Sequence, residues 1–303
     1  MSNNLTRVLV AAVAIPLVIL IIWVGGLVAA LVVAVLAGLG ARELFGLSRA
    51  NGVQPLAGLG IALSVFAPLA TWALLGPTSG DLTRSAGLGS ADLPGLPLWL
   101  FGQWPLVVAM VPPLVLTATL LRRTAEERPL EAAAVTTFAP FYCGILPSAI
   151  LVIRYGAGPS RDWGAVWLTL MPLAITWLCD SFAMWGGKLI GGPKLAPSVS
   201  PGKTRAGGIA GLAGGVVAAL AFVPVFLVPA GRPVPLLQAA IIGLVLAVVA
   251  QVGDLAESLF KREARVKDSS HLIPGHGGVL DRLDSLYFVL PVAALLYRAL
   301  GIL

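Results

Sequence analysis

An all-α, polytopic membrane protein is the fold class this sequence predicts. Three observations predict it: 58% of the 303 residues are hydrophobic against 11% charged, mean hydropathy is +0.93, and the apolar residues gather into nine long runs. Soluble domains carry about 25% charged residues, so composition alone places the chain in the membrane class. A segment crossing hydrocarbon must satisfy its own backbone N–H and C=O groups, which about 20 consecutive apolar residues achieve as a helix.

The runs cover residues 7–24, 27–45, 56–75, 104–121, 132–153, 165–190, 207–228, 236–260 and 282–300. The first is long, lacks a small-residue cleavage site and is followed at once by the second, so it reads as a retained anchor rather than a signal peptide. The small-residue run from Ala37 to Ala41 suits close helix packing. Residues 76–96, rich in Gly, Pro, Ser and Asp, read as an extracytoplasmic loop. The chain divides into N-terminal scaffold spans, residues 1–131, and a C-terminal catalytic region, residues 132–303, with cytoplasmic loops at 188–208 and 261–280.

The formal charge of +6 is strongly sided. With the N-terminus inside, fifteen of the twenty Lys and Arg residues, including all five lysines, fall on cytoplasmic segments, and Arg84, Arg154, Arg161, Arg232 and Arg298 fall outside. This pattern sets a cytoplasmic N-terminus and, with nine spans, an extracytoplasmic C-terminus. The excess charge reports topology and anionic headgroups, not nucleic acid. Cys143 and Cys179 both lie in apolar runs, so two inert thiols are expected and no disulfide or zinc site.

Asp180, Asp254, Glu257, Asp281 and Asp284 all fall at the cytoplasmic ends of the sixth, eighth and ninth runs. Carboxylates at that depth are expensive, which makes the cluster a functional candidate; salt bridges to Lys261, Arg262 and Arg282 are the competing structural role. Asp254 and Ser258, four apart, share a helix face, with Gln251 and Glu257 on adjacent turns. Carboxylate and hydroxyl oxygens suit magnesium, which binds through one or two carboxylates plus substrate phosphates. Asp281 and Asp284, three apart, offer a second carboxylate source, and a second metal is admitted.

Two loops supply basic groups. From Lys261 to Gly278 a basic stretch, with Arg262 and Lys267, leads into a glycine-rich turn carrying His276, Gly277 and Gly278, and exposed amides with cations suit a polyphosphate. His271 and His276 are too few for zinc, and His276 reads as loop-shaping or phosphate-contacting. From Lys188 to Gly208, Ser200, Lys203 and Thr204 stand just before the glycines that open the seventh helix, which makes an anion site. Gly202-Lys203-Thr204 is not a P-loop ending, because no glycine stands five residues before Gly202 and no strand precedes it.

These residues closely resemble the phosphatidate cytidylyltransferase (CDP-diacylglycerol synthase) family. The family's serine, Lys-Arg, Lys-Asp, His-Gly-Gly and Asp-Arg-x-Asp pattern is met by Ser258, Lys261, Arg262, Lys267, Asp268, Pro274, His276, Gly277, Gly278, Asp281, Arg282 and Asp284. Its Ser-Pro-x-Lys-Thr element is met by Ser200, Pro201, Lys203 and Thr204. Many members carry Glu-Gly next, whereas Arg205, Ala206 and Gly207 follow here, so no carboxylate role carries over at that point. The strong resemblance covers residues 177–285.

The resemblance implies transfer of CMP from CTP to phosphatidic acid, giving CDP-diacylglycerol and pyrophosphate. It implies magnesium held by Asp254 and Asp281, with Ser258 beside it and Asp284 supporting. Lys203, Lys261 and Arg262 would bind the triphosphate, Lys267 and Arg282 would pair the lipid phosphate or Asp268, and Asp180, Ser200, Thr204, His276, Gly277 and Gly278 would line the substrate site. The implied setting is the inner membrane with the site facing the cytoplasm, among membrane lipids, with a homodimer admitted. Two alternatives stand: another CTP-using enzyme acting on a polyprenyl or ether-lipid phosphate, and a transporter using the acids as a relay. The transporter is disfavoured because the acids cluster at one face and no inverted repeat is evident.

Overall fold

The computed structural model describes residues 3–75, 104–159, 161–272 and 277–303, with side chains at the N-terminus from Ala12 onward. The expected loop at 76–96 and the expected site residue His276 lie outside the described residues, as does Pro274.

Helices form at all nine expected positions among the described residues. In chain order they are α1 (Asn3–Val24), α2 (Gly26–Ala50), α3 (Ala57–Leu75), α4 (Trp104–Ala109) with α5 (Val111–Arg122), α6 (Pro129–Ala139) continued by a wide turn and α7 (Leu146–Gly156), α8 (Trp163–Ile190), α9 (Arg205–Phe222), α10 (Leu236–Glu263) and α11 (Leu280–Ala299). Seven stretches are long and apolar enough to cross a membrane: 26–50, 57–75, 104–122, 129–156, 163–190, 205–227 and 236–263. The other two positions fall short of that standard for different reasons. The described apolar part of α1 is only Ala12–Val24, and α11 opens on Asp281, Arg282 and Asp284.

Among the described residues the regular structure is helical apart from one feature the sequence did not suggest. Within the loop expected at 188–208, β1 (Lys194–Ala196) pairs antiparallel with β2 (Ser200–Thr204), Lys194 opposite Thr204. Strands of three and five residues containing Pro201 and Gly202 show no alternating pattern, so nothing local announced them.

The chain forms two compact units. One compact unit is Gly26–Ser148; the other joins Met1–Gly25 to Ala149–Leu303, so the first helix belongs with the C-terminal spans. In the former, Gly38 of α2 lies so close to α3 that a Cβ there would stand 2.8 Å from Val65, in keeping with the small-residue run. Arg123 and Arg128 of the α5–α6 connection donate to the backbone carbonyls of Gln54 (2.9 Å) and Asn51 (3.0 Å), tying it to the α2–α3 turn.

The larger unit has a core of Ile153, Leu168, Met171, Ile175, Ile242, Leu246 and Tyr297, drawn from α7, α8, α10 and α11. At one end Arg154 is buried and donates to the carbonyls of Ile22 (2.8 Å) and Pro159 (3.1 Å), which fixes α1 to α7. Asp162 caps α8 by accepting from the amides of Gly164 and Ala165 and pairs with Arg232 at 3.1 Å. Burial works to raise the pKa of Asp162, but these donors outweigh it and hold the carboxyl below its ordinary value.

Glycines set the spacing of α8, α9 and α10. A Cβ on Gly243 would stand 2.6 Å from the Gly215 carbonyl oxygen, and one on Gly211 would stand 3.1 Å from the Cys179 carbonyl oxygen. Backbone atoms cannot swing aside as side chains do, so bulk at these points must separate whole helices. Gly243→Ala should therefore lower the thermal midpoint in detergent by several degrees, about 1–3 kcal/mol of overpacking. Gly46→Ala, where a Cβ meets nothing within 4 Å, should leave the midpoint unchanged or raised.

Candidate active site

Three helix ends and the hairpin build the site within the larger unit. Thr204 ends β2 and caps α9, its hydroxyl accepting from the Gly207 amide at 3.0 Å. This fixes Lys203, the preceding residue, at the mouth of α9. A Cβ on Gly207 would stand 2.6 Å from the Ala183 carbonyl oxygen, so the glycine lets the start of α9 close onto α8, which carries Asp180.

From α10, Asp254 forms an ion pair with Lys203 and accepts from Ser258 at 3.3 Å. Asp180 lies within electrostatic reach of Asp254, Lys203 and Arg282, and Asp284 within reach of Asp254, Asp180 and Lys261. The approach of α10 to α11 depends on Gly253, where a Cβ would stand 2.9 Å from the Asp284 carbonyl oxygen and 3.0 Å from Ser285 Cα. Gly253 was not singled out from the sequence. A glycine directly before an intramembrane aspartate was the available signal.

Lys261 sits between two carboxylates: it pairs with Glu257 one turn earlier on α10 and donates to Asp281 Oδ1 at 2.7 Å. Asp281 Oδ2 accepts three further bonds, from the Ser269 amide (2.9 Å), the Ser269 hydroxyl (2.8 Å) and the Gly278 amide (2.8 Å). Asp281 therefore ties Lys261, Ser269 and Gly278 together. Gly277 takes a positive φ of 78°, and Gly278 directs its N–H inward at Asp281.

The two basic loops meet. Arg265, with φ 56°, ends α10 in a left-handed turn, which brings the Val266 carbonyl to Arg262 Nη1 at 2.9 Å. The same guanidinium donates through Nε to the carbonyl of Val199, at the turn of the hairpin, at 3.0 Å. Gln251 adds a bond to the Gly208 carbonyl, also 3.0 Å. Ser200 is half-buried in β2, whereas Lys267 and Arg282 are exposed, and neither is ion-paired to Asp268 among the described residues.

No group of three metal-ligating side chains is close enough to cage an ion among the described residues. Magnesium does not need one, since it usually keeps several waters and takes one or two carboxylates plus phosphate oxygens. Asp254, with Asp180 and Asp284 in electrostatic reach, fits that requirement.

A sequence profile described as the Cytidylyltransferase family matches residues 5–300. The chain belongs to the cytidylyltransferase family. Among curated proteins, it is 34% identical over 228 residues to the phosphatidate cytidylyltransferase of Bacillus subtilis, covering 70% of this chain and 81% of that protein. It is 47% identical over 151 residues to the phosphatidate cytidylyltransferase of Rickettsia bellii, covering 49% of this chain and 64% of that one. The phosphatidate cytidylyltransferase of Brucella abortus is 43% identical over 157 residues, covering 52% and 53%. The matched stretch thus spans between about half and two thirds of the Rickettsia and Brucella proteins. For this cytidylyltransferase, family membership and the multi-pass helical fold both agree with the sequence reading.

If Arg262 holds the hairpin to the end of α10, Arg262→Ala should speed limited tryptic cleavage at Lys194 and Arg205 several-fold in detergent. An unchanged cleavage rate would show that the hairpin is held without it.

Proposed function

We propose that the chain is a phosphatidate cytidylyltransferase, joining CMP from CTP to phosphatidic acid to give CDP-diacylglycerol and pyrophosphate. Family membership and the printed names of its relatives support the reaction class. One observation carries the site assignment: each carboxylate expected to hold metal is paired with a lysine expected to hold phosphate, Asp254 with Lys203 and Asp281 with Lys261. In the free enzyme the two sets of charges neutralise one another. When the charged nucleotide arrives, the lysines turn to its phosphates and the carboxylates are released.

The reaction needs little proton chemistry. An ionised oxygen of phosphatidate attacks the α-phosphorus of CTP, the bond to the β-phosphate oxygen breaks, and pyrophosphate leaves with the electron pair. Placement and charge stabilisation then dominate the rate. Lys203, Lys261 and Arg262 bind the triphosphate and stabilise the leaving pyrophosphate, while Ser258 orients Asp254. Magnesium, held by Asp254 with Asp180 and Asp284 in electrostatic reach, would supply further neutralisation of the phosphate charge. Asp180 and Asp284, in electrostatic reach of Asp254, would favour a nucleotide that arrives with its counter-cation.

CTP is water-soluble and acyl chains stay in the bilayer, so such a site belongs at a membrane surface. The siding of Lys and Arg supports the cytoplasmic face of the inner membrane.

The expected outcome of Asp254→Asn, Asp281→Asn or Lys203→Met is a loss of at least 100-fold in magnesium-dependent pyrophosphate release from CTP plus phosphatidate, with expression retained. Gly253→Ala should lose about ten-fold by moving Asp254 from Asp284, a displacement felt strongly in pre-organised sites. Near-normal turnover in the Asp254 or Asp281 variant would contradict the assignment.

A further inference from the structure

The two carboxylates that hold Lys261 are not equivalent. Asp281 has three donors besides Lys261, from Ser269 and Gly278, so without the lysine its Oδ2 stays hydrogen-bonded and only Oδ1 loses its donor. Glu257 has no such alternative. Its side chain is fully buried, Lys261 is its one ion-pair partner, and no other hydrogen-bond donor reaches either oxygen among the described residues. A carboxylate buried with a single counter-charge is costly, and removing that counter-charge leaves an uncompensated charge in low dielectric.

Helix geometry sharpens the asymmetry. Along α10, Asp254 with Ser258 and Glu257 with Lys261 form two adjacent rows, each four residues apart. The first row meets Lys203 at the hairpin; the second is turned toward α11, within electrostatic reach of Asp281 and Asp284. Glu257 is fully closed off from solvent, whereas Lys261 is not.

We propose that Glu257 is a positioning residue that keeps hold of Lys261 while the lysine exchanges Asp281 for the triphosphate. It touches no substrate. It acts by limiting the ammonium to a short arc with the resting carboxylate at one end and the nucleotide phosphates at the other. This inference rests on the cytidylyltransferase reading above.

The experiment compares Glu257→Gln, Lys261→Met and the double variant, each purified in detergent. Kinetics with CTP and phosphatidate should show Glu257→Gln reducing kcat/KM for CTP about ten- to 100-fold with the KM for phosphatidate unchanged. The double variant should be no worse than Lys261→Met within about two-fold, because a positioner has nothing left to position. Thermal midpoints supply a readout independent of turnover: Lys261→Met should be the least stable of the three, and adding Glu257→Gln should raise its midpoint by removing the orphaned charge.

Full kcat/KM in Glu257→Gln, multiplicative losses in the double variant, or a double variant less stable than Lys261→Met would each overturn the role of Glu257. Absence of CTP turnover in the unaltered protein would instead overturn the reading on which it rests.

Discussion

The ion pair between Lys203 and Asp254 joins a two-stranded hairpin to the C-terminal third of a long apolar helix, and the site's architecture follows from what that contact requires. Lys203 is held at the mouth of α9 by the Thr204 cap, and α9 can close onto α8 because residue 207 is a glycine. Asp254 is brought to α11 because residue 253 is a glycine. A charge placed at this depth without a partner would be driven out toward water; paired, it fixes the register of four elements at one level. The same pairing leaves the resting site nearly neutral yet ready to be divided by a ligand that carries both phosphate and a cation.

The loop from 261 to 280 obeys a second version of that logic. Asp281 gathers a lysine, a hydroxyl and two amides, so Lys261, Ser269 and Gly278 share one fixed centre. Arg262 then carries the order outward by reaching the hairpin turn at Val199. Two loops separated by a pair of membrane-length helices are therefore joined by a side-chain-to-backbone hydrogen bond.

Much of this was legible in the sequence because ionisable residues are so rare in it. Asp254, Ser258 and Lys203 announce themselves against an apolar background, and the helices follow from run length alone. Asp281 was legible as a site residue, but its three further donors were not, since no local pattern encodes that Ser269 and Gly278 converge on it. The hairpin and the helix-spacing roles of Gly207, Gly243 and Gly253 were hidden for a related reason. A glycine's contribution is the distance it permits to a neighbour remote in sequence, and local pattern does not encode that neighbour. The placement of α1 with the C-terminal spans was hidden likewise, resting on Arg154 reaching the Ile22 carbonyl across 132 positions.

The central claim is that the divided charges of this site transfer CMP to a lipid phosphate. Its most direct measurement is to incubate the purified protein with CTP labelled at the α-phosphate, magnesium and phosphatidate, and to follow the label into the lipid phase. The account predicts one labelled CDP-diacylglycerol formed for each pyrophosphate released, and no label in lipid when phosphatidate is omitted. Label entering lipid only from a polyprenyl phosphate, or pyrophosphate release without labelled lipid, would contradict it.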